Sequence, residues 1–351
     1  MARRIKQEDI AETDRLEGQP HPRENFALVG QGAALSRASR AIRAGRVPSA
    51  WLITGPPGIG KATTAYRIAR YLLRYGATAD GAEDLSVASN DPVSLQVAAG
   101  AHPGLLVLKR GLNPDTGKLM TVLSVAEIRK LAGFFGMTSG AGGWRVAIVD
   151  TADDMNDQAA NALLKALEEP PSRAMLMLLA NAPGRLLPTI RSRCQRLDLR
   201  PLGEAELEAE LSKRLPDLDA GERASLAKLS GGSIGAALSL ASEDGLALAT
   251  EAEQLIGRAT SPDLSATLAL AEKLARMTDG VERFGGFLTQ ALAERIRVRA
   301  LEGGARLDHW TAVLEKLKGS FVRTDALHLE PRQTILSTAR AISQTARRGA
   351  L

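Results

Sequence analysis

Gly55-Pro56-Pro57-Gly58-Ile59-Gly60-Lys61 stands between an apolar run, Ala50 to Thr54, and a helical pattern through Tyr66, Ile68, Ala69, Leu72 and Leu73. A glycine-rich turn in that setting is the layout of a phosphate-binding P-loop. Glycines let backbone N–H groups curl around phosphate oxygens. The helix N-terminus adds partial positive charge, and the lysine reaches the outer phosphates. The loop residues, with Ala62 and Thr63 after them, are therefore candidate nucleotide-binding residues, and ATP or ADP is the possible ligand. One position departs from the pattern. The residue after the lysine normally carries a hydroxyl that holds Mg²⁺, and here it is Ala62. Thr63 lies one residue later, about 100° further round the helix, so magnesium binding is expected to be weak or absent.

A second stretch carries an acid where a P-loop protein needs one. Val146-Ala147-Ile148-Val149 is an apolar run that ends in Asp150, the arrangement that helps hold Mg²⁺. The plainer alternative is an aspartate that only ends a strand. Thr151 follows it, and chain position gives neither Asp153 nor Asp154 a reason to reach an attacking water. No metal site is expected. Cys194 is the one cysteine, so an internal disulfide and a cysteine-based zinc site are both excluded. His102 by itself reads as a loop histidine.

The elements that position these residues follow from periodicity. Apolar runs at 50–54, 105–108, 146–150 and 175–179 alternate with helical patterns, which implies a parallel sheet covered on both faces. Ser124 with Glu127 three residues on forms a possible capping box. A helix spans Asp157 to Glu169, with Leu163, Leu164 and Leu167 on one face, and Pro170-Pro171 stops it. Residues 76–104 show no clear period and read as an insertion or loop. After Pro201 no strand signal returns. Residues 203–241 read as three short helices, with Ser233 a cap. Residues 246–351 read as Ala/Leu-rich helices broken near Ser261-Pro262, Gly280, Gly303-Gly304 and Gly319-Ser320.

At 351 residues the chain has room for two or three domains. Hydrophobic residues make up 44% and aromatics only 3%, a balance that favours helix packing. The net charge of +5 permits nucleic-acid contact without demanding it. Lys109, Arg110, Arg129 and Lys130 are either a DNA-facing group or a solvated surface. No aromatics are interleaved among them to stack bases. The N-terminus is polar and lacks the apolar stretch of a signal peptide. No run of about 18 apolar residues occurs, so no membrane is expected as a partner and a cytoplasmic location is the simplest reading.

Asn161-Ala162-Leu163-Leu164-Lys165-Ala166-Leu167-Glu168-Glu169-Pro170-Pro171, then Arg191-Ser192-Arg193-Cys194, resembles the signature of clamp-loader subunits of the AAA+ class. The stretch from Pro183 to Cys194 is most similar to subunits of the delta-prime type in bacterial DNA polymerase III clamp loaders. The resemblance is clear over about residues 26–240 and mainly architectural over 246–351. It implies an α/β AAA+ P-loop core at 26–200 behind a mobile arm at 1–25. A helical lid at 201–245 and an all-α collar at 246–351 would follow. It implies as partners the gamma/tau-type ATPase subunits, the delta subunit, the sliding clamp and, through the complex, primed DNA. In this family the Ser-Arg-Cys arginine enters a neighbouring subunit's ATP site. Carried over, that residue is Arg193; an arginine in a surface ion pair is the plainer alternative.

Three departures from hydrolysing relatives stand out: Ala62, Thr151, and Gly235 in place of a sensor arginine. Asn181 lies near the sensor-1 position. Many relatives carry a four-cysteine zinc module after the first helix, but residues 76–104 have no cysteine, so no zinc is expected. Little or no ATPase activity is expected of the chain alone. The competing readings are an active motor ATPase of the same complex and an unrelated P-loop enzyme.

Overall fold

The apolar runs form a sheet in the computed structural model. Its strands are β1 (Ala50–Thr54), β2 (Leu105–Leu108), β3 (Arg145–Val149), β4 (Ala174–Ala180) and β5 (Gln195–Asp198). They lie in the order β2-β3-β4-β1-β5, and every neighbouring pair is parallel. The structure describes residues 19–111, 120, 122–136, 143–241, 244–277, 280–303, 307–326, 330–347 and 349, the side chains of 322, 323, 325 and 326 excepted. Most of the arm expected at 1–25 and parts of the glycine turns at 140–143 and 303–304 lie outside these residues. Contacts divide the chain into two units. One holds the described residues up to Arg214 together with Gly232–Ala236; the other holds Leu215–Gly231 and Ala237 onward.

In the first unit, β1 and β4 are buried at every position, as central strands covered on both faces must be. Alternate side chains feed two cores. On one face Trp51, Ile53, Ile148 and Met177 pack with Ile42 of α1 (Gly32–Arg43), Ile68 and Leu72 of α2 (Lys61–Tyr75), and Val97 of α3 (Pro92–Ala98). On the other, Leu52, Val149, Leu176 and Leu178 pack with helices α4 (Val125–Gly136), α5 (Asp157–Glu168) and α6 (Pro188–Arg193). That is the α/β P-loop core with a parallel sheet expected from the sequence. β5 was missed because it is a short edge strand with one buried residue of four.

Residues 76–104 hold more order than their lack of period suggests. Asp91 caps α3 by accepting the Val93 N–H at 2.8 Å, and Pro92 opens the helix. Leu85, Val87 and Val97 anchor the segment in the core. Ion pairs Arg74–Asp91 (2.8 Å) and Arg67–Asp84 tie it to α2. Residues 19–25, the end of the expected arm, are also packed: His21 is buried and Arg23 Nε donates to the Ala98 carbonyl at 2.9 Å. Ser124 Oγ accepts the Glu127 N–H ahead of α4.

After β5 come α7 (Glu204–Arg214), α8 (Ala220–Leu229) and α9 (Ile234–Leu240), the three short helices expected. The second unit continues with α10 (Gly245–Gly257), α11 (Leu264–Arg276), α12 (Gly280–Leu301), α13 (Asp308–Ala326) and α14 (Pro331–Ala346). They share a core containing Leu248, Leu274, Phe284, Leu288, Trp310 and Ile335. The break expected at Gly319-Ser320 does not occur, since α13 runs through it. A mid-helix glycine costs about 1 kcal/mol, and burying Phe321 and Leu317 on the same helix outweighs that. Among the described residues no helix is long and apolar enough to cross a membrane.

Leu163 on α5 is fully buried between this helix and the sheet. Leu163→Ala is expected to lower the unfolding free energy by about 2–5 kcal/mol, measured by urea denaturation followed by circular dichroism.

Candidate functional site: a P-loop closed on its own lysine

The turn after β1 is shaped by its glycines. Gly58 and Gly60 take φ of 71° and 102°, where side chains are disfavoured. Gly60 serves as the left-handed residue that starts α2. Lys61 is the first residue of that helix and is only 9% exposed. Its ammonium donates to the carbonyls of Gly55 and Pro56, each at 2.8 Å, and to Asn181 Oδ1 at 2.6 Å. Three protons thus meet three acceptors. Burial pushes the Lys61 pKa down to about 8, against the opposing pull of the Asp150 and Asp153 charges.

Asn181 reaches Lys61 because β4 lies beside β1 and ends level with it, Thr54 opposite Ala180. The turn beyond β4 is pinned in turn. Asp153 is buried, and its Oδ2 accepts the N–H groups of Asn181 (3.1 Å) and Ala182 (2.8 Å). Its Oδ1 is buried and has no hydrogen-bond partner among the described residues. Sequence reasoning gave Asp153 no task; its role depends on β3 and β4 being neighbours, which the local pattern does not display.

The expected metal-handling groups do not assemble into a magnesium site. Ala62 packs, partly buried, against the core on the α2 face of the sheet. Thr63 is buried in the first turn of α2. Asp150 directly follows β3, and its Oδ1 accepts the Thr151 N–H at 2.9 Å. Thr151 has φ 51°, an unusual region for a β-branched residue. Its hydroxyl turns back to donate to the Asp150 carbonyl at 2.8 Å. The backbone therefore fits a phosphate-cradling loop, but the side chains around it do not fit a magnesium nucleotide. Among the described residues no acidic, histidine or cysteine group is arranged to hold a metal ion. Burial raises the Cys194 thiol pKa to about 11, which disfavours its thiolate.

The segment Gly232–Ala236 packs on the loop. Ser233 Oγ accepts the Ala236 N–H at 3.2 Å, capping α9, and donates to the Pro57 carbonyl at 2.9 Å. The Gly235 N–H donates to the Gly58 carbonyl at 3.0 Å. A Cβ on Gly235 would lie 2.6 Å from Gly58 Cα, so the position expected to lack a sensor arginine has no space for a side chain.

Arg193, the last residue of α6, does not share partners with this cluster. Its Nη2 lies 3.0 Å from Glu168 Oε1, and its Nη1 donates to the Thr189 carbonyl at 3.1 Å. The structure thus brings together the P-loop, Lys61, Asn181 and the lid segment, with Asp150 and Asp153 near enough to act on the Lys61 charge. Arg193 sits on the chain's surface.

Residues 30–203 match the family model described as "DNA polymerase III, delta subunit". Across this stretch the chain is similar to DNA polymerase III delta-prime subunits. The delta' subunit of Pseudomonas aeruginosa is 40% identical over 185 residues, covering 52% of this chain and 53% of that protein. The delta' subunit of Escherichia coli K12 is 35% identical over 198 residues, 56% of each chain. A gamma/tau subunit of Mycobacterium tuberculosis is 33% identical over 194 residues, covering 53% of this chain and 30% of that one. The chain spans about half the length of the delta-prime relatives it matches. The matched stretch contains the whole sheet, the P-loop and Arg193.

Burial of Lys61 has a measurable sign. The unfolded chain holds the lysine proton up to about 10.5, whereas the folded chain releases it near 8. Stability relative to Lys61→Met should therefore rise as pH increases from 8 to 10.5 and be constant below 8. Urea midpoints for both chains across that range check this; a flat difference would contradict it.

Proposed function

We propose that this chain is a delta-prime-like subunit of a DNA polymerase III clamp loader, a mostly non-hydrolysing stator that lends Arg193 to a neighbouring ATPase subunit. Its partners on this reading are gamma/tau-type ATPase subunits, the delta subunit, the sliding clamp and, through the complex, primed DNA. The helices of the second unit are the candidate collar that holds the ring together. The delta-prime relatives at 35–40% identity support the complex. The observation that carries the stator role is the pairing of Ala62 with Thr151. One lacks the hydroxyl that positions Mg²⁺, and the other has its hydroxyl turned onto its own backbone where a carboxylate would orient water. ATP or ADP binding, if any, would rest on the loop backbone alone, with Mg²⁺ weakly held and no zinc required.

The gamma/tau relative supports the alternative of an active motor, and one set of assays separates the two. The isolated chain should turn over ATP far more slowly than about 1 s⁻¹, a modest enzymatic rate. In the reconstituted complex with clamp and primed DNA, Arg193→Ala should assemble normally yet lose ATPase activity. Arginine fingers are worth about 10³–10⁵ at the site they serve, and the whole-complex loss is smaller where other sites keep their own. Arg193→Lys should rescue poorly, because a point charge lacks the guanidinium fork. Turnover near 1 s⁻¹ by the isolated chain, abolished by Lys61→Ala, would favour the motor.

A further inference from the structure

Resting on that reading, we propose that Glu168 is a positioning residue that parks Arg193 until a neighbouring nucleotide draws it away. Glu168 and Arg193 are the last residues of α5 and α6. The two helices are fixed against each other by Leu163, Leu167, Ile190 and Cys194, all buried in one core. The carboxylate and the guanidinium therefore meet at 3.0 Å because the helix ends are held in register. The second guanidinium bond, to the Thr189 carbonyl, is to the arginine's own helix. Both bonds draw the side chain back over α5 and α6.

The electrostatics suit a holder that lets go. A carboxylate at a helix C-terminus sits at the negative end of the helix dipole, so Glu168 gains from a cation beside it. Both side chains remain largely in water, 39% exposed for Arg193 and 51% for Glu168. Exposed ion pairs are weak and screened by salt, whereas the phosphates of a nucleotide offer a higher charge and bidentate geometry. The parked arrangement thus competes with delivery of the finger without blocking it. Removing the competitor raises the fraction of complexes in which the finger is available, by at most about fivefold, the range of exposed ion pairs.

Four proteins test this in the reconstituted complex without clamp or DNA: wild type, Glu168→Gln, Arg193→Ala and the double variant. Glu168→Gln should raise basal ATPase by about twofold to fivefold with KM for ATP unchanged, and should have no effect in the Arg193→Ala background. In the isolated chain, NMR should show restricted rotation of the Arg193 guanidinium in wild type and freer rotation in Glu168→Gln, with the melting temperature moved by no more than about 4 °C. An unchanged or lowered basal rate in Glu168→Gln, or an equal effect with and without Arg193, overturns the parking role while leaving the finger intact. An Arg193→Ala complex with wild-type ATPase overturns the finger, and the parking role with it.

Discussion

An ammonium group taken out of water must find acceptors for its protons or lose its charge, and the first unit is arranged around meeting that demand at Lys61. Two acceptors are carbonyls of the turn after β1, and the third is the Asn181 side chain. The turn that carries these carbonyls has three glycines, Gly55, Gly58 and Gly60, at positive φ. Asn181 can reach the lysine only because β4 pairs directly with β1. Asp153 then fixes the Asn181 backbone from the neighbouring β3 side. Strand order, glycine placement and a buried carboxylate are one set of constraints serving one cation. The order β3-β4-β1 places the three contributing turns side by side at the C-terminal ends of their strands.

The same arrangement explains how the fold persists without the groups that metal chemistry needs. Ala62 packs, partly buried, against the hydrophobic core, so its small apolar side chain contributes packing where a hydroxyl would contribute a ligand. Thr151 closes a tight turn after β3 through its hydroxyl and its left-handed backbone. Gly235 allows the lid backbone to meet the loop backbone at hydrogen-bond distance, and any side chain would push the two apart. The absence of an arginine at 235 and the close approach of lid and loop are therefore a single structural fact. At Gly235 the departure from the hydrolysing pattern is also a close contact, so adding a side chain there would force lid and loop backbones apart.

Much of this was legible in the sequence because the signals are local. A glycine-rich turn between an apolar run and a helix gives the P-loop, and continuous apolar strands give the buried parallel sheet. Ser233 was readable as a cap because capping needs only residue type and spacing. Its second bond, to the Pro57 carbonyl, was not readable, since its partner lies 176 positions away. Asp153 was missed for the same reason. β5 escaped because an edge strand with one buried residue has no apolar run, and α3 because seven residues are too few to show a helical period. The expected break at Gly319 failed in the opposite direction: local propensity argued for an end, and burial of Phe321 carried the helix through it.

Lys61 and Arg193, the two cations that the motifs single out, sit in opposite electrostatic regimes. Lys61 is buried, its acceptors are supplied by the chain, and burial lowers its pKa by more than its neighbours restore. Its contacts cannot be exchanged for others without moving the loop, so its energy is bound up with folding. Arg193 lies where water screens its partner, and the pair is worth no more than about 1 kcal/mol. Its ion pair is exposed and weak, so exchanging one anion for another costs little. A group that must act on a second molecule has to be of the second kind, because a residue committed to its own core has nothing left to offer a neighbour. The division of the two cations between core and surface is thus the physical reason that Lys61 is tied to the fold while Arg193 can exchange partners.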